Sequence, residues 1–409
     1  MCNRFLLSTL LMFAAVRAGA AGPPAQPEWP QFRGPEGQGH ANACDLPLSW
    51  SDKENIAWKV ELPGQGWSSP VITGKHIWLT TAIHDKPSLR ALCIERAAGK
   101  IVQDVEVFAP KSLPQRHPKN GFATPTPILE GERVYVHFGQ MGTARLGADG
   151  KILWTAALAH NLYYGPSSTP VLFEDLLIVP CQGTDVRYIA ALDKNTGKER
   201  WKTTMGGNYN SDATPLIIRV GDTYQLICNL TSYVTSLDPK TGVKIWSVAN
   251  GNVAQVPRPI FGHGMIYACG GYFNPVLQAI RPDGKGDVTK THVAWTAKKH
   301  VPQNPSPLLV GDELYMVNDK GIATCLDAKT GKEHWSERLD GEFSASPLLA
   351  DGRIYVTNEE GVTIVLAPGV TFKTLATNKL DGRTFASLAA VDREIYLRSE
   401  RHLYRIEKK

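Results

Sequence analysis

The chain has 409 residues, of which 43% are hydrophobic and 20% charged, with 37 Gly and 28 Pro. That supports a large packed core and excludes a disordered, collagen-like or coiled-coil chain. A formal net charge of +5 gives no argument for nucleic-acid binding.

Residues 1–20 read as a secretory signal peptide. A short basic start is followed by the twelve-residue apolar run Phe5–Val16 and the small-x-small sequence Ala18-Gly19-Ala20. The run is too short to span a bilayer, and no later segment is long and apolar enough to do so. The expected mature protein is exported, periplasmic or extracellular, with no membrane span. Residues 21–55 form an amino-terminal extension. Among the later cysteines, Cys44, Cys93, Cys181, Cys228, Cys269 and Cys325, there is no Cys-x-x-Cys pair. An oxidising compartment permits disulfides, but most of them read as small buried hydrophobes on strands rather than metal ligands or a redox pair.

From residue 56 onward the chain is repetitive. Ser/Thr-Pro steps, each followed by a short apolar run, begin at Ser69, Thr126, Thr169, Thr214, Ser306 and Ser346. Arg258-Pro259 is a variant with a cation in the hydroxyl position, and Ser387-Leu388 has lost the proline. Successive spacings are 57, 43, 45, 44, 48, 40 and 41, the longest containing the loop Phe108–Gly121. Each step leads to a corner of the type Leu192-Asp193-Lys194-Asn195-Thr196-Gly197-Lys198-Glu199-Arg200-Trp201. That corner recurs at Leu237–Trp246 and Leu326–Trp335 with the same Leu-to-Trp spacing. One unit reads as four short strands, 171–173, 176–181, 188–192 and 199–203, with the Asp and Gly of the corner supplying turn chemistry. A lone sheet of this kind cannot bury both faces, whereas a ring of them can, with the Trp between neighbours.

The expected fold is all-β: an eight-bladed β-propeller of four-stranded antiparallel blades over residues 56–409. The last unit has only three strands, and Ile56–Leu62 matches the fourth-strand pattern. An amino-terminal strand therefore completes the last blade and closes the ring.

The Leu-Asp-x-x-Thr-Gly-Lys-x-x-Trp unit resembles the docking motif of the quinoprotein-like β-propeller repeat family, which includes BamB-type propellers and quinoprotein alcohol dehydrogenases. The lead-in Glu28-Trp29-Pro30-Gln31-Phe32-Arg33-Gly34-Pro35 resembles that of exported bacterial propellers of unknown function. The resemblance implies eight blades and no particular chemistry. A quinone-dependent dehydrogenase would need a carboxylate base, calcium held by Glu and Asn oxygens, and a Trp floor. Asp212 and Asn210 would be its candidates, with no matching calcium motif.

Long loops gather on the face where each first strand begins, so the functional face is expected over the channel mouth. Its candidate ligand-binding residues are Trp67, His117, Lys119, Asn120, Tyr164, Asp185, Asp212, Arg258 and Gln303. Tyr163, Tyr209, Tyr272, Phe273 and Asn304 share that face, and Arg258 is expected to point into the mouth. Aromatic faces with amides and a few charges suit sugars, quinones or peptide segments. Catalytic residues are not identifiable, and no metal or cofactor site is expected. The reading is a monomeric, non-enzymatic binding or scaffolding module for an envelope protein or glycan, with no nucleic-acid partner. The alternatives are a dehydrogenase carrying pyrroloquinoline quinone and calcium, and a polysaccharide hydrolase or lyase.

Overall fold

A computed structural model describes residues 28–409. The segment read as a signal peptide, residues 1–20, lies outside the described residues. Eight antiparallel sheets form the blades of a β-propeller. A 3-10 turn at Gly139–Met141 is the only helical element among the described residues. None of those residues form a helix long and apolar enough to cross a membrane.

Blade 3 shows how one repeat folds. Its strands are Val171–Phe173, Leu176–Gln182, Arg187–Asp193 and Glu199–Thr204, paired in sequence order from the channel outward. The two middle strands are almost wholly buried because neighbouring blades cover both their faces. Outermost strands alternate between half-buried and exposed, as at Ile152–Ala156 and Val293–Ala297, because one face meets solvent. Apolar clusters bridge the junctions between neighbouring blades. Blades 1 and 2, for instance, share Trp78, Leu89, Phe138 and Leu146.

The corner motif is the joint between blades. In Asp193-Lys194-Asn195-Thr196-Gly197 the carboxylate accepts hydrogen bonds from the backbone N–H groups of Asn195 and Thr196. Gly197 then turns at a φ of 72°. The indole of Trp154, from the preceding blade, lies flat on that glycine and donates from Nε1 to the Lys194 carbonyl at 3.2 Å. A Cβ on Gly197 would sit 2.6 Å from Trp154 Cε3. The same joint recurs for Trp58, Trp201 and Trp295, which donate to the carbonyls of Arg96, Pro239 and Ala328, whereas Trp335 donates to the Gly369 carbonyl without covering that glycine. Each Trp thus contributes apolar burial and fixes the neighbour's angle through one directional bond.

Trp246 breaks the pattern. It is fully buried and donates instead to Gln225 Oε1 at 2.9 Å. The cause is the insertion in blade 5. Gly286–Asp287 pairs in parallel with the outermost strand of blade 4, Lys244–Ala249, and makes it a five-stranded sheet.

Closure follows the sequence expectation. Ile56–Glu61 pairs antiparallel with His402–Ile406 and becomes the outermost strand of blade 8, with Lys59 opposite Tyr404.

The extension does more than lead into that strand. Trp29 pairs with Ile72 of blade 1, and the Pro30 carbonyl accepts from Leu129 N–H of blade 2. Gln38 Oε1 accepts from Phe261 N–H of blade 5, and Gly39 and Ala41 bond with Leu349 of blade 7. Residues 29–41 therefore touch innermost strands around the ring and cross the channel. Residues 44–50 then run along blades 7 and 8, with Leu46 and Trp50 buried and Trp50 stacked on Tyr355.

Candidate functional site

Two residues before each innermost strand lies an anchor residue whose backbone N–H points to the next blade; in seven of the eight blades proline follows it and has no N–H of its own. Its partner is the hydroxyl of the next blade. Ser69 N–H donates to Thr126 Oγ1, Thr126 to Thr169, and Thr169 to Thr214, at 3.0–3.1 Å. The chain resumes from Arg258 N–H to Ser306 Oγ, then to Ser346 and to Ser387. It breaks after Thr214, where Arg258 has no hydroxyl to offer. At the junction of blades 8 and 1 the buried Arg398 donates to the Ser68 carbonyl and hydroxyl. The repeated Ser/Thr-Pro step is thus a collar of side chains around the channel.

Above this collar opens a cavity of about 600 Å³. Its wall carries the hydroxyls of Ser69, Thr126, Thr169, Thr214, Ser306, Ser346 and Ser387, and Phe32 of the crossing segment lines it as well. The channel is therefore a cup rather than a through-hole at this point. Trp67, Tyr164, Tyr209, Tyr272, Phe273 and Phe385 also line it. Trp67 meets Phe385 edge to face at 4.5 Å, and Tyr272 meets Phe273 at 5.1 Å. Tyr272 and Phe273 are 63% and 69% exposed, so they form an apolar rim that nothing among the described residues covers.

The loop of residues 109–121, the longest interval of the repeat, reaches over the cup. It is pinned to the next loop because His117 N–H and Asn120 Nδ2 both donate to the Tyr164 carbonyl. Lys119 Nζ pairs with Glu342 at 2.6 Å and with buried Glu359 at 3.1 Å, tying this loop to blade 7. Burial opposes the Lys119 charge, but the two glutamates outweigh it and raise the pKa.

Two carboxylates line the cup. Asp212 is buried, and desolvation pushes its pKa up to about 6 against the opposing hydrogen bonds of Ser167 and Asn210. Asn210 Nδ2 lies 2.7 Å from its Oδ2. Asp319 is also raised by burial, while Gln303 N–H and the Asn304 side chain bond to it. Both therefore hold loop ends in place as well as facing the cavity.

Of the candidates read from the sequence, Trp67, His117, Lys119, Asn120, Tyr164, Asp212 and Gln303 line this one cavity. Asp185 does not. Its carboxylate turns back onto its own loop region and accepts from Asn161 N–H at 2.8 Å, Asn161 Nδ2 at 3.0 Å and Val186 N–H at 2.8 Å. Arg258 is corrected too: it points below the mouth, where its Nη1 donates to the Phe32 carbonyl at 2.8 Å. The crossing segment offers that acceptor, and the wide mouth does not. Phe32, Phe385 and Asp319 belong to the cup without having been foreseen. Asp319 sits in Asn318-Asp319-Lys320-Gly321, which reads as an ordinary turn, and Phe32 precedes every repeat.

Among the described residues, no group of three or more His, Cys, Asp or Glu side chains converges as a metal site. The cysteines of the described residues are all free, with Cys44 exposed and the other five buried.

Comparison with known proteins agrees with this architecture. No curated protein matches the chain. Among solved structures, BamB from Moraxella catarrhalis superposes with a TM-score of 0.62 at 14% identity, covering 86% of this chain and 99% of that one. A europium-containing methanol dehydrogenase gives 0.57 at 11%, covering 93% and 98%. The computationally designed Ika8 protein gives 0.59 at 10%, covering 88% and 100%. At such identities the likeness concerns the fold alone. A family model described as outer membrane protein assembly factor BamB matches residues 144–271 and 230–384. The chain belongs to that family of quinoprotein-like β-propellers.

Proposed function

We propose that the protein is an exported, non-enzymatic binding module of the cell envelope whose cup receives a segment of a protein partner or a glycan. The observation that carries this reading is the cup itself: closed below by Phe32, walled by hydroxyls, and rimmed by aromatic rings left open to solvent. Such a surface gives stacking area and many short-range polar contacts, which suits a sugar ring or an exposed loop. The family's description as an assembly factor favours a protein partner.

The quinone reading fits the residues poorly. A quinone bearing several carboxylates calls for cations and a metal cage. Lys119 is committed to Glu342 and Glu359, and the two cup carboxylates would repel such a ligand. The polysaccharide hydrolase or lyase reading has one observation in its favour, the carboxyl of Asp212 at about 6, where a general base works near neutral pH.

Binding of purified protein to envelope extracts and to a glycan array tests the proposal. Trp67→Ala and Tyr164→Ala are expected to weaken the captured ligand at least about tenfold, since one stacked aromatic contributes about 0.5–1.5 kcal/mol beyond its buried area. Product release that disappears in Asp212→Asn would replace the binding module by the hydrolase or lyase. Dye reduction on an alcohol after loading with pyrroloquinoline quinone and calcium would replace it by the dehydrogenase.

A further inference from the structure

Three carboxylates are buried among the described residues: Asp212, Glu359 and Glu394. Glu359 meets Lys119 Nζ at 3.1 Å, and Glu394 meets Arg96 at 2.7 Å and Arg405 at 2.6 Å. Asp212 is 7% exposed and meets no cation among the described residues. Its bonding partners are neutral: the Asn210 amide at 2.7 Å and the Ser167 hydroxyl. Half-buried Asp319 repeats the arrangement two blades on. Gln303 N–H at 2.6 Å and the Asn304 amide hold it, with no ion pair among the described residues. A carboxylate withdrawn from water and bonded only to neutral donors is costly, and a cation beside it offsets that cost.

Both carboxylates line the same cavity of about 600 Å³, which leaves room for such a cation. Blade 5 stands between them. Asp212 N–H donates to the Gln255 carbonyl, and Gln303 Nε2 donates to the Tyr272 carbonyl at 2.7 Å. Tyr272 N–H in turn donates to the Val253 carbonyl. The loops that carry the two acids are thus fastened to the blade 5 loops that carry the exposed Tyr272 and Phe273 rings. The basic groups of the lining, His117 and Lys119, belong to the loop of residues 109–121, and the Lys119 charge is already met by Glu342 and Glu359.

We propose that the sector of the cup between Asp212 and Asp319 receives the guanidinium of an arginine carried by a segment of a protein partner. This rests on the reading of the cup as a binding site and names the chemistry that the partner brings to it. A guanidinium supplies the counter-charge that both acids lack. Its planar fork makes paired hydrogen bonds to carboxylate oxygens, and its faces stack on aromatic rings such as those of Tyr272 and Phe273. A neutral sugar supplies the stacking alone. Burial raises the pKa of both acids, Asp212 to about 6, and a bound cation draws them back down.

The test uses the whole chain and two blocked tripeptides, acetyl-Gly-Arg-Gly-amide and its citrulline counterpart, which has nearly the same shape and no charge. Binding is followed by ligand-observed NMR at low salt and a pH of about 8, where Asp212 is ionised. The arginine peptide is expected to bind at least about tenfold more tightly than the citrulline peptide. Asp212→Asn and Asp319→Asn keep an acceptor for the Asn210 and Gln303 donors, and each should lower that preference at least about threefold. Asp185→Asn, outside the cup, should leave it unchanged. Equal affinity for the two peptides, tighter binding of a glutamate counterpart, or a preference untouched by both cup variants would overturn the proposal. If a variant does not fold, the citrulline comparison on the unaltered protein decides. An envelope ligand captured in the cup without any arginine preference would refute this inference and leave the binding module standing. Product release from a glycan alongside a retained arginine preference would refute the binding module and leave the arginine site.

Discussion

Gly331 and Gly352 form a matched pair for testing whether the Trp joints hold the ring. Both have a left-handed backbone, with φ of 74° and 68°. A Cβ on Gly352 would meet nothing within 4 Å, whereas one on Gly331 would lie 2.6 Å from Trp295 Cε3 and 2.7 Å from Cδ2. The backbone strain of an L-residue is common to both and costs about 1–2 kcal/mol. Gly331→Ala must also displace an indole whose Nε1 donates to the Ala328 carbonyl at 3.1 Å. Overpacking adds about 1–3 kcal/mol, and a weakened hydrogen bond about 1 kcal/mol. The expected costs are therefore about 1–2 kcal/mol for Gly352→Ala and about 3–6 kcal/mol for Gly331→Ala, read from urea midpoints at unchanged slope. In a Trp295→Ala background the excess should vanish, since the clashing ring is gone, and the double-mutant cycle reports it as a coupling of about 2–4 kcal/mol. Equal costs for the two alanines, or an additive cycle, would refute the view that the glycine exists to receive the indole.

Asp212 sets a pH dependence. Its folded pKa of about 6 lies above the ordinary 3.8, so its stability contribution is complete below about pH 4 and is lost as pH rises through 6. A shift of this size is worth about 3 kcal/mol. The stability of Asp212→Asn relative to the unaltered protein should therefore improve across that window in urea titrations, and a flat difference would contradict the assignment. Trp29→Ala should cost about 3–5 kcal/mol, because this indole is 1% exposed and anchors the crossing segment to blade 1. Its thermal midpoint checks this. Burial pushes the thiols of Cys93, Cys181, Cys228 and Cys325 up to about 12 and raises Cys269 too. Of the cysteines described, only exposed Cys44 should react with a thiol reagent before denaturation, as counted by mass spectrometry.

The ring was legible because its information is local and repeated. Asp193, Gly197 and Trp201 lie within one corner, and the corner's chemistry recurs at nearly constant spacing. The strands of blade 3 fell within a residue of those read from the sequence for the same reason. Closure was legible because Ile56–Leu62 carries a fourth-strand pattern with no sheet of its own. What was not legible depends on single contacts between distant segments. Residues 29–41 have no periodicity, and their partners Ile72, Leu129, Phe261 and Leu349 are spread over most of the chain. Trp246 reads like any docking Trp, yet the blade 5 insertion redirects it to Gln225. Asp185 looked like a free carboxylate because a sequence does not show that Asn161 closes on it.

The same distinction separates the scaffold of this propeller from its specific parts. A ring of identical units would leave an open, hydroxyl-lined channel, since each innermost strand repeats one Ser/Thr-Pro step. Function requires that symmetry to be broken. Here it is broken by the crossing segment, which closes the channel with Phe32, and by Arg258, which takes the place of one hydroxyl and hydrogen-bonds to that segment. The two departures depend on each other. Without residues 29–41 the Arg258 guanidinium would lose the Phe32 carbonyl, and without Arg258 the segment would lose a charge-assisted bond. The depth and the floor of the cup are therefore set by residues outside the repeat, while the repeat supplies the rigid wall. Relatives with the same blades can differ in what they bind by changing this segment and the loops over the mouth.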